Sequence, residues 1–398
     1  VSRTRINQFL MPAAAAMLLL TACAERGGTG GNTTPVPPAP APAQAADPRG
    51  DGKAQCPAAT AIAYAGTING DNAALGRNVL NGVKLAVQQH NQANPGCQVR
   101  LREFDTEGSP DRAPGAVTQI VTTPEIIGVV GLPFSGESKA TGKLCDQAGL
   151  VQLTPSATGP ALSANGWKTF FRGLGNDNTQ GPAAAKFITE QLKADRVCVV
   201  EDDSEYGVGL AAAIKQALGP KAVCTEKVKS KQSEFSAVVN TIKGKAPQAI
   251  FYSGYYREAA PFAQQLADRG VEARFIAPDG VKDDEFVKGA GDAAAKAFFT
   301  CPCVPSDQFA AFTGAYRELT GKEPGTSSPE AYDLATILLK GIDSGKHDRA
   351  ALLEFVRTYD GPGLTKRFKW DDKGELTRTT VWTYRVENGK IVRNTEIK

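Results

Sequence analysis

Between Ala61 and Ala277, apolar runs of strand length alternate with stretches whose apolar residues recur at helical spacing. This constrains the fold more than any composition figure. Ile62–Ala65 is a short apolar strand, and Val79, Val83, Ala86 and Val87 then mark a helix face. Val99–Phe104, Ile126–Val130 and Leu150–Leu153 read as further strands, separated by helical stretches over 110–121 and 135–148. The alternation then restarts. Asp177 and Asn178 are candidate caps for a helix carrying Phe187, Ile188 and Leu192. Strands follow at Val197–Val200, Ala222–Thr225, Ala249–Tyr252 and Phe275–Ala277, with helices over 207–218, 235–242 and 259–269. Strands that alternate with helices in this way form parallel sheets covered on both faces. The fold class is therefore α/β, in two doubly wound parallel-sheet lobes. A chain of 398 residues with 41% hydrophobic and 22% charged residues suits two such cores.

Open sheets of this kind hold ligands beyond the carboxyl ends of their strands. Five segments fall at such ends: GLPFSG (131–136), TPSATG (154–159), EDDSEYG (201–207), YSGYY (252–256) and APDG (277–280). Ser135 precedes a helix, where it would cap the first turn or, with the free N–H groups there, hold a carboxylate. Thr158 would steady a turn or add a second donor to the same carboxylate. Asp279 suits a Pro-Asp-Gly turn and also the pairing of an ammonium group. Tyr206, Tyr255 and Tyr256 offer apolar faces with polar tips.

Several chemistries find little support. Two histidines, His90 and His347, are too few for a histidine triad or zinc site. Gly207-Val-Gly209-Leu-Ala-Ala212, with Glu226 further on, fits a G-x-G-x-x-A nucleotide pattern. The carboxylates between Val200 and Gly207 would repel a pyrophosphate, and the turn is too long. Glu201, Asp202 and Asp203 read as a solvated cluster, with no distant partner set for a metal. The expectation from these patterns is no catalytic residue, no cofactor and no metal.

The first residues read as an export signal. Arg3 and Arg5 precede an apolar stretch over 9–22 that is too short to span a bilayer. Leu20-Thr21-Ala22-Cys23 resembles a bacterial lipobox, which implies acylation of Cys23 and anchoring to the outer face of the cytoplasmic membrane. Residues 1–22 would then be removed, and 23–55, rich in Gly, Pro and Ala, would form a tether. Of 45 basic residues, 43 would remain against 42 acidic ones, a net charge of +1. That gives no field for nucleic acid. Seven of the eight cysteines follow Cys23. Cys56 and Cys97 each precede a strand and could be bridged, and Cys198 and Cys224 could be bridged between neighbouring strands. Cys301 and Cys303 either close a local loop or pair elsewhere, which leaves Cys145, in a helix, as the free buried thiol.

From about Ala58 onward the chain resembles the type I periplasmic binding proteins of ABC importers, in particular the leucine/isoleucine/valine-binding group. The likeness rests on ALGRNVLNGVKLAV (74–87), GLVQLTPSATGPALSANG (149–166), NDNTQGPAAAKFI (176–188), EYGVGLAAA (205–213), FYSGYYREAAPFAQQLADRG (251–270) and WDDKGE (370–375), in that order. The resemblance implies two lobes joined by three crossings, near Gly173, Cys303 and Asp371. Lobe 1 would comprise 56–172 and 304–370, and lobe 2 would comprise 173–303 and 371–398. It implies that Ser135 and Thr158 meet a ligand's α-carboxylate, that the Ser156 carbonyl and Asp279 meet its ammonium, and that Tyr206 and Tyr255 close over it. Branched-chain binders often carry Glu at the position of Asp279, and Leu75 stands where an aromatic residue can line the side-chain pocket. The implied function is capture of a small amino acid, branched-chain most of all, by a monomer that delivers it to permease and ATPase subunits. A lipoprotein that senses an amide or small acid without transport is the first alternative. A nicotinamide-dependent oxidoreductase is the second.

Overall fold

The structure, a computed structural model, describes residues 46–398. The expected signal segment, Cys23 and the tether as far as residue 45 lie outside the described residues. The last part of the expected tether is not a tether. Asn94, at the end of the first helix, accepts from the Ala54 N–H and donates to the Arg49 carbonyl, so 46–55 packs on the first lobe. Composition alone does not reveal this, because the anchoring is supplied by a side chain forty residues away.

The first lobe opens with β1 (Ala61–Gly66), α1 (Ala73–Ala93), β2 (Arg100–Asp105), α2 (Ala113–Val121), β3 (Ile126–Gly131), α3 (Ser135–Gln147), β4 (Val151–Thr154) and β5 (Phe170–Arg172). Its sheet is parallel, in the order β2-β1-β3-β4-β5. Successive strand residues point to opposite faces. Ile62 and Tyr64 accordingly join one buried cluster, and Ala61, Ala63 and Ala65 join the other.

The second lobe runs through α4 (Asp177–Lys186), β6 (Val197–Glu201), α5 (Glu205–Leu218), β7 (Ala222–Lys227), α6 (Ser236–Lys245), β8 (Ala249–Ser253), α7 (Tyr256–Asp268), β9 (Arg274–Ala277), α8 (Asp284–Ala290) and β10 (Ala297–Cys301). The chain then returns to the first lobe for α9 (Ala310–Thr320), α10 (Ser328–Asp343), α11 (Arg349–Arg357) and a hairpin of β11 (Asp360–Pro362) and β12 (Arg367–Lys369). Helix α10 is buried almost all round, as its apolar sequence requires. Finally β13 (Val381–Glu387) and β14 (Lys390–Ile397) join the second sheet, in the order β14-β13-β10-β9-β8-β6-β7.

That sheet is not wholly parallel, as expected from the sequence, but mixed. β13 pairs antiparallel with both β10 and β14. A hairpin needs only a tight turn, here Asn388-Gly389, and no covering helix. The third crossing also falls later than Asp371. Trp370 and Leu376 form an antiparallel bridge, and Gly374 accepts from the Arg172 N–H, so 371–376 stays with the first lobe. Thr377 still donates to the Lys369 carbonyl, so the passage lies in 378–380.

Disulfides join Cys56 to Cys97, Cys198 to Cys224, and Cys301 to Cys303, and Cys145 is free and buried. Cys198 and Cys224 sit opposite each other in the β6–β7 register, which brings their sulfurs together.

Candidate functional site

Each sheet reverses its strand order once: beside β1 and β3 in the first lobe, and beside β6 and β8 in the second. Loops diverge at such points and leave a crevice. Here the two crevices face each other. The narrow space between them is lined by Leu75, Val79, Phe134, Ser135 and Ser156 from the first lobe and by Tyr206, Tyr255 and Asp279 from the second. The lobes touch across it. Phe134 packs on Tyr255 with ring centroids 4.8 Å apart, Lys139 pairs with Glu205 at 2.8 Å, and Asp71 meets Lys231 and Arg257.

The hydroxyls of TPSATG divide their work. Thr154 Oγ1 accepts from the Ala157 N–H and closes the turn. Ser156 Oγ donates to the Pro133 carbonyl at 2.9 Å and ties this loop to the one after β3. Ser135 is the first residue of α3 rather than its cap, a position taken by Phe134. Its Oγ accepts from the Gly159 N–H at 3.0 Å, which leaves the hydroxyl proton to donate into the cleft. Thr158 is fully buried and does not line the cleft. Its Oγ1 faces the Asp177 carboxyl of the second lobe, which burial pushes up to about 7 and which the Thr158 hydroxyl draws back down.

On the other wall, Asp279 Oδ1 accepts from Gln180 Nε2 at 2.8 Å and from the Tyr206 hydroxyl at 2.9 Å. Gln180 also donates to the Thr300 carbonyl, which fixes its amide. Burial raises the Asp279 pKa, and the two donors oppose that rise. Tyr206 and Tyr255 pack with their rings tilted by 40° and centroids 5.2 Å apart, and cover this end. Of the expected residues, Ser135, Ser156, Tyr206, Tyr255 and Asp279 meet in one cleft, and Thr158 stands behind them.

Two residues that matter here were not singled out from the sequence. Arg172 ends β5 and is completely buried. Its guanidinium donates to the carbonyls of Ala157 and Gly159, on either side of Thr158, and pairs with both oxygens of Glu375. Although burial disfavours the charge, Arg172 beside it holds the Glu375 carboxyl below the usual range. A charge at the end of the apolar run Phe170-Phe171 was the available signal. Its partner is 203 positions away.

The enzyme-like patterns find structural roles. Gly207 and Gly209 lie inside α5 and not at a strand-to-helix turn. A Cβ on Gly207 would stand 2.0 Å from Asp202 Oδ1, so glycine is required there for packing. Glu201 pairs with Lys215 and Lys227, Asp202 accepts from Ser204, and Asp203 accepts from Ser230. Among the described residues, His90, Cys97 and Asp343 are close enough to suggest a metal, but the Cys97 sulfur is committed to its disulfide.

Comparison with known proteins agrees with this geometry. Residues 60–390 match the family model described as periplasmic binding protein. The leucine-, isoleucine-, valine-, threonine- and alanine-binding protein of Pseudomonas aeruginosa is 30% identical over 349 residues, covering 85% of this chain and 92% of that protein. The substrate-binding protein LivJ of the Streptococcus pneumoniae branched-chain amino acid transporter, solved with isoleucine, superposes with a TM-score of 0.78 at 26% identity, over 84% of this chain and 99% of that one. The leucine-binding protein LivK of Thermotoga maritima gives the same score and identity over 85% and 98%. A cleft built from two strand-order reversals, a family match over most of the chain, and relatives aligned nearly end to end all agree: the chain belongs to the periplasmic binding protein family.

Proposed function

We propose that this protein captures a small α-amino acid between its lobes and delivers it to an ABC importer. The observation that carries the reading is the pairing of opposite chemistries across one cleft. Hydroxyl and backbone donors stand at the first-lobe strand ends, and a buried carboxylate stands at a second-lobe strand end. A zwitterion needs both, because either charge left buried and unpaired is costly. Ser135 takes the α-carboxylate, with Thr158 supporting the loop behind it. Asp279 and the Ser156 carbonyl take the ammonium. Tyr206 and Tyr255 close over the backbone, and Leu75, Val79 and Phe134 receive the side chain. The amino-acid names carried by the aligned relatives support this ligand class. No step in this cycle is catalytic.

Hinge motion about the three passages opens and closes the cleft, a class of motion for which periplasmic binding proteins are a standard example. Lobe 1 comprises residues 46–172 and 304–377, and the rest of the folded chain forms lobe 2. The protein acts as a monomer outside the cytoplasm, held by acylated Cys23 with permease and ATPase subunits as partners. Calorimetric titration with alanine, valine, leucine and isoleucine tests the reading. Saturable binding of at least one supports it, and binding of none sinks it. Membrane fractionation tests the anchor: Cys23→Ala releases the protein or leaves it unprocessed, and an unchanged processed mass in the membrane fraction refutes acylation.

A further inference from the structure

Ser327 occupies the position where a serine ordinarily caps a helix, yet it does not cap. It immediately precedes α10 with φ 62° and ψ 5°, and its side chain makes no bond to the helix. Non-glycine residues seldom adopt this left-handed conformation, and such strain collects where a side chain is aimed for a purpose. Here the backbone turns the residue toward the cleft, which Ser327 lines.

The surrounding contacts fix which end of the cleft this is. A Cβ on Gly82 would stand 2.3 Å from the Ser328 carbonyl, and one on Gly325 would stand 2.1 Å from Asn78 Nδ2. The loop before α10 is thus packed tightly on α1, beside Val79. Thr326, its neighbour, spends its hydroxyl on the Lys282 carbonyl of the second lobe. Donors for a carboxylate come from the ends of β3 and β4, and the ammonium partner comes from the end of β9. The wall of Leu75, Val79 and Ser327 is the remaining one, and it faces the ligand's side chain.

We propose that Ser327 Oγ is a hydrogen-bond partner for a polar group on that side chain, so that a small β-hydroxy α-amino acid is preferred over its aliphatic isostere. This rests on the α-amino-acid reading of the same cleft. Leu75 and Val79 offer apolar contact to either ligand. Ser327 separates them: a methyl group pressed against its hydroxyl buries a donor without a partner, whereas a ligand hydroxyl satisfies it.

Threonine and valine differ in little but this group. Calorimetric titration of the parent protein with L-threonine, L-valine and L-alanine gives threonine roughly tenfold tighter than valine, the worth of one good hydrogen bond. Ser327→Gly removes the hydroxyl and accepts the left-handed backbone without strain. In that variant the preference disappears. Valine binding as tightly as threonine to the parent overturns the proposal and leaves the α-amino-acid reading standing. A threonine preference that survives in Ser327→Gly places its origin elsewhere and overturns it too. Failure of all three ligands overturns this proposal, and the α-amino-acid reading falls with it only if leucine and isoleucine also fail to bind.

Discussion

The two walls of the cleft are built on different principles. On the first-lobe wall the charges are kept out of the site. Arg172 and Glu375 neutralise each other in the interior and use the guanidinium to hold the carbonyls of Ala157 and Gly159, so that the loop presents hydroxyls and backbone N–H groups. On the second-lobe wall the charge is in the site. Asp279 accepts from two neutral donors, Gln180 and Tyr206, and neither cancels it. One wall is a rigid frame whose electrostatics are already settled. The other carries a carboxylate that only neutral groups hydrogen-bond, with Lys282 acting on it through space and no cation in salt-bridge contact. Stability should therefore respond most to changes behind the first wall, and affinity most to changes in the second.

The largest effect follows from breaking the frame. Arg172→Met leaves Glu375 without its cation and two backbone carbonyls without their donor. Removing one partner of a buried ion pair costs about 3–5 kcal/mol. Chemical denaturation should show a loss of that size, and Arg172→Met with Glu375→Gln should recover part of it, since no isolated charge remains. A loss under about 1 kcal/mol, which is what an exposed pair gives, would mean that the pair does not hold the loop.

Asp279→Asn comes next, and it strikes affinity. The asparagine Oδ1 can accept from Gln180 and Tyr206 as the carboxylate does, so the fold is kept and only the charge is lost. Binding of an α-amino acid should weaken by about 2–5 kcal/mol, the cost of truncating one partner of a buried charged pair. Calorimetry on the parent and the variant measures the difference. Undiminished affinity would make Asp279 a turn residue and place the ammonium site elsewhere.

What could be read from the sequence follows the range over which each signal acts. Apolar periodicity is local, so β1 to β4, β6 to β9 and helices α1 to α7 were legible, as was the position of Ser135, Tyr206, Tyr255 and Asp279 at strand ends; β5, β10 and α8 are short and were not. β13 was not, because Val381–Glu387 mixes aromatic, basic and acidic residues and pairs antiparallel with a strand, β10, far earlier in the chain. The hold of Asn94 on residues 49 and 54 was hidden by a composition that reads as linker. Arg172 and Glu375 each look like an ordinary charge until the fold joins them. Ser327 was invisible for another reason. A serine before a helix satisfies the capping rule, and only its backbone angle reveals that the rule is not being used.

Thr158 tests the comparison most finely, because it belongs to the first wall yet is not engaged by it. Its hydroxyl is buried behind the lining and faces the Asp177 carboxyl of the second lobe. Thr158→Val keeps the shape and removes that hydroxyl. Stability should fall by no more than about 1 kcal/mol, the worth of a single hydrogen bond. Affinity should fall by no more than about 1 kcal/mol, the worth of a single neutral hydrogen bond formed only if the loop shifts on closing. That order, with Arg172 felt in folding, Asp279 in binding and Thr158 scarcely in either, is what a fixed frame facing a charged wall requires. If Thr158→Val instead weakens binding as much as Asp279→Asn, the hydroxyl reaches the ligand directly. The first wall would then rearrange on binding and could not be the rigid one.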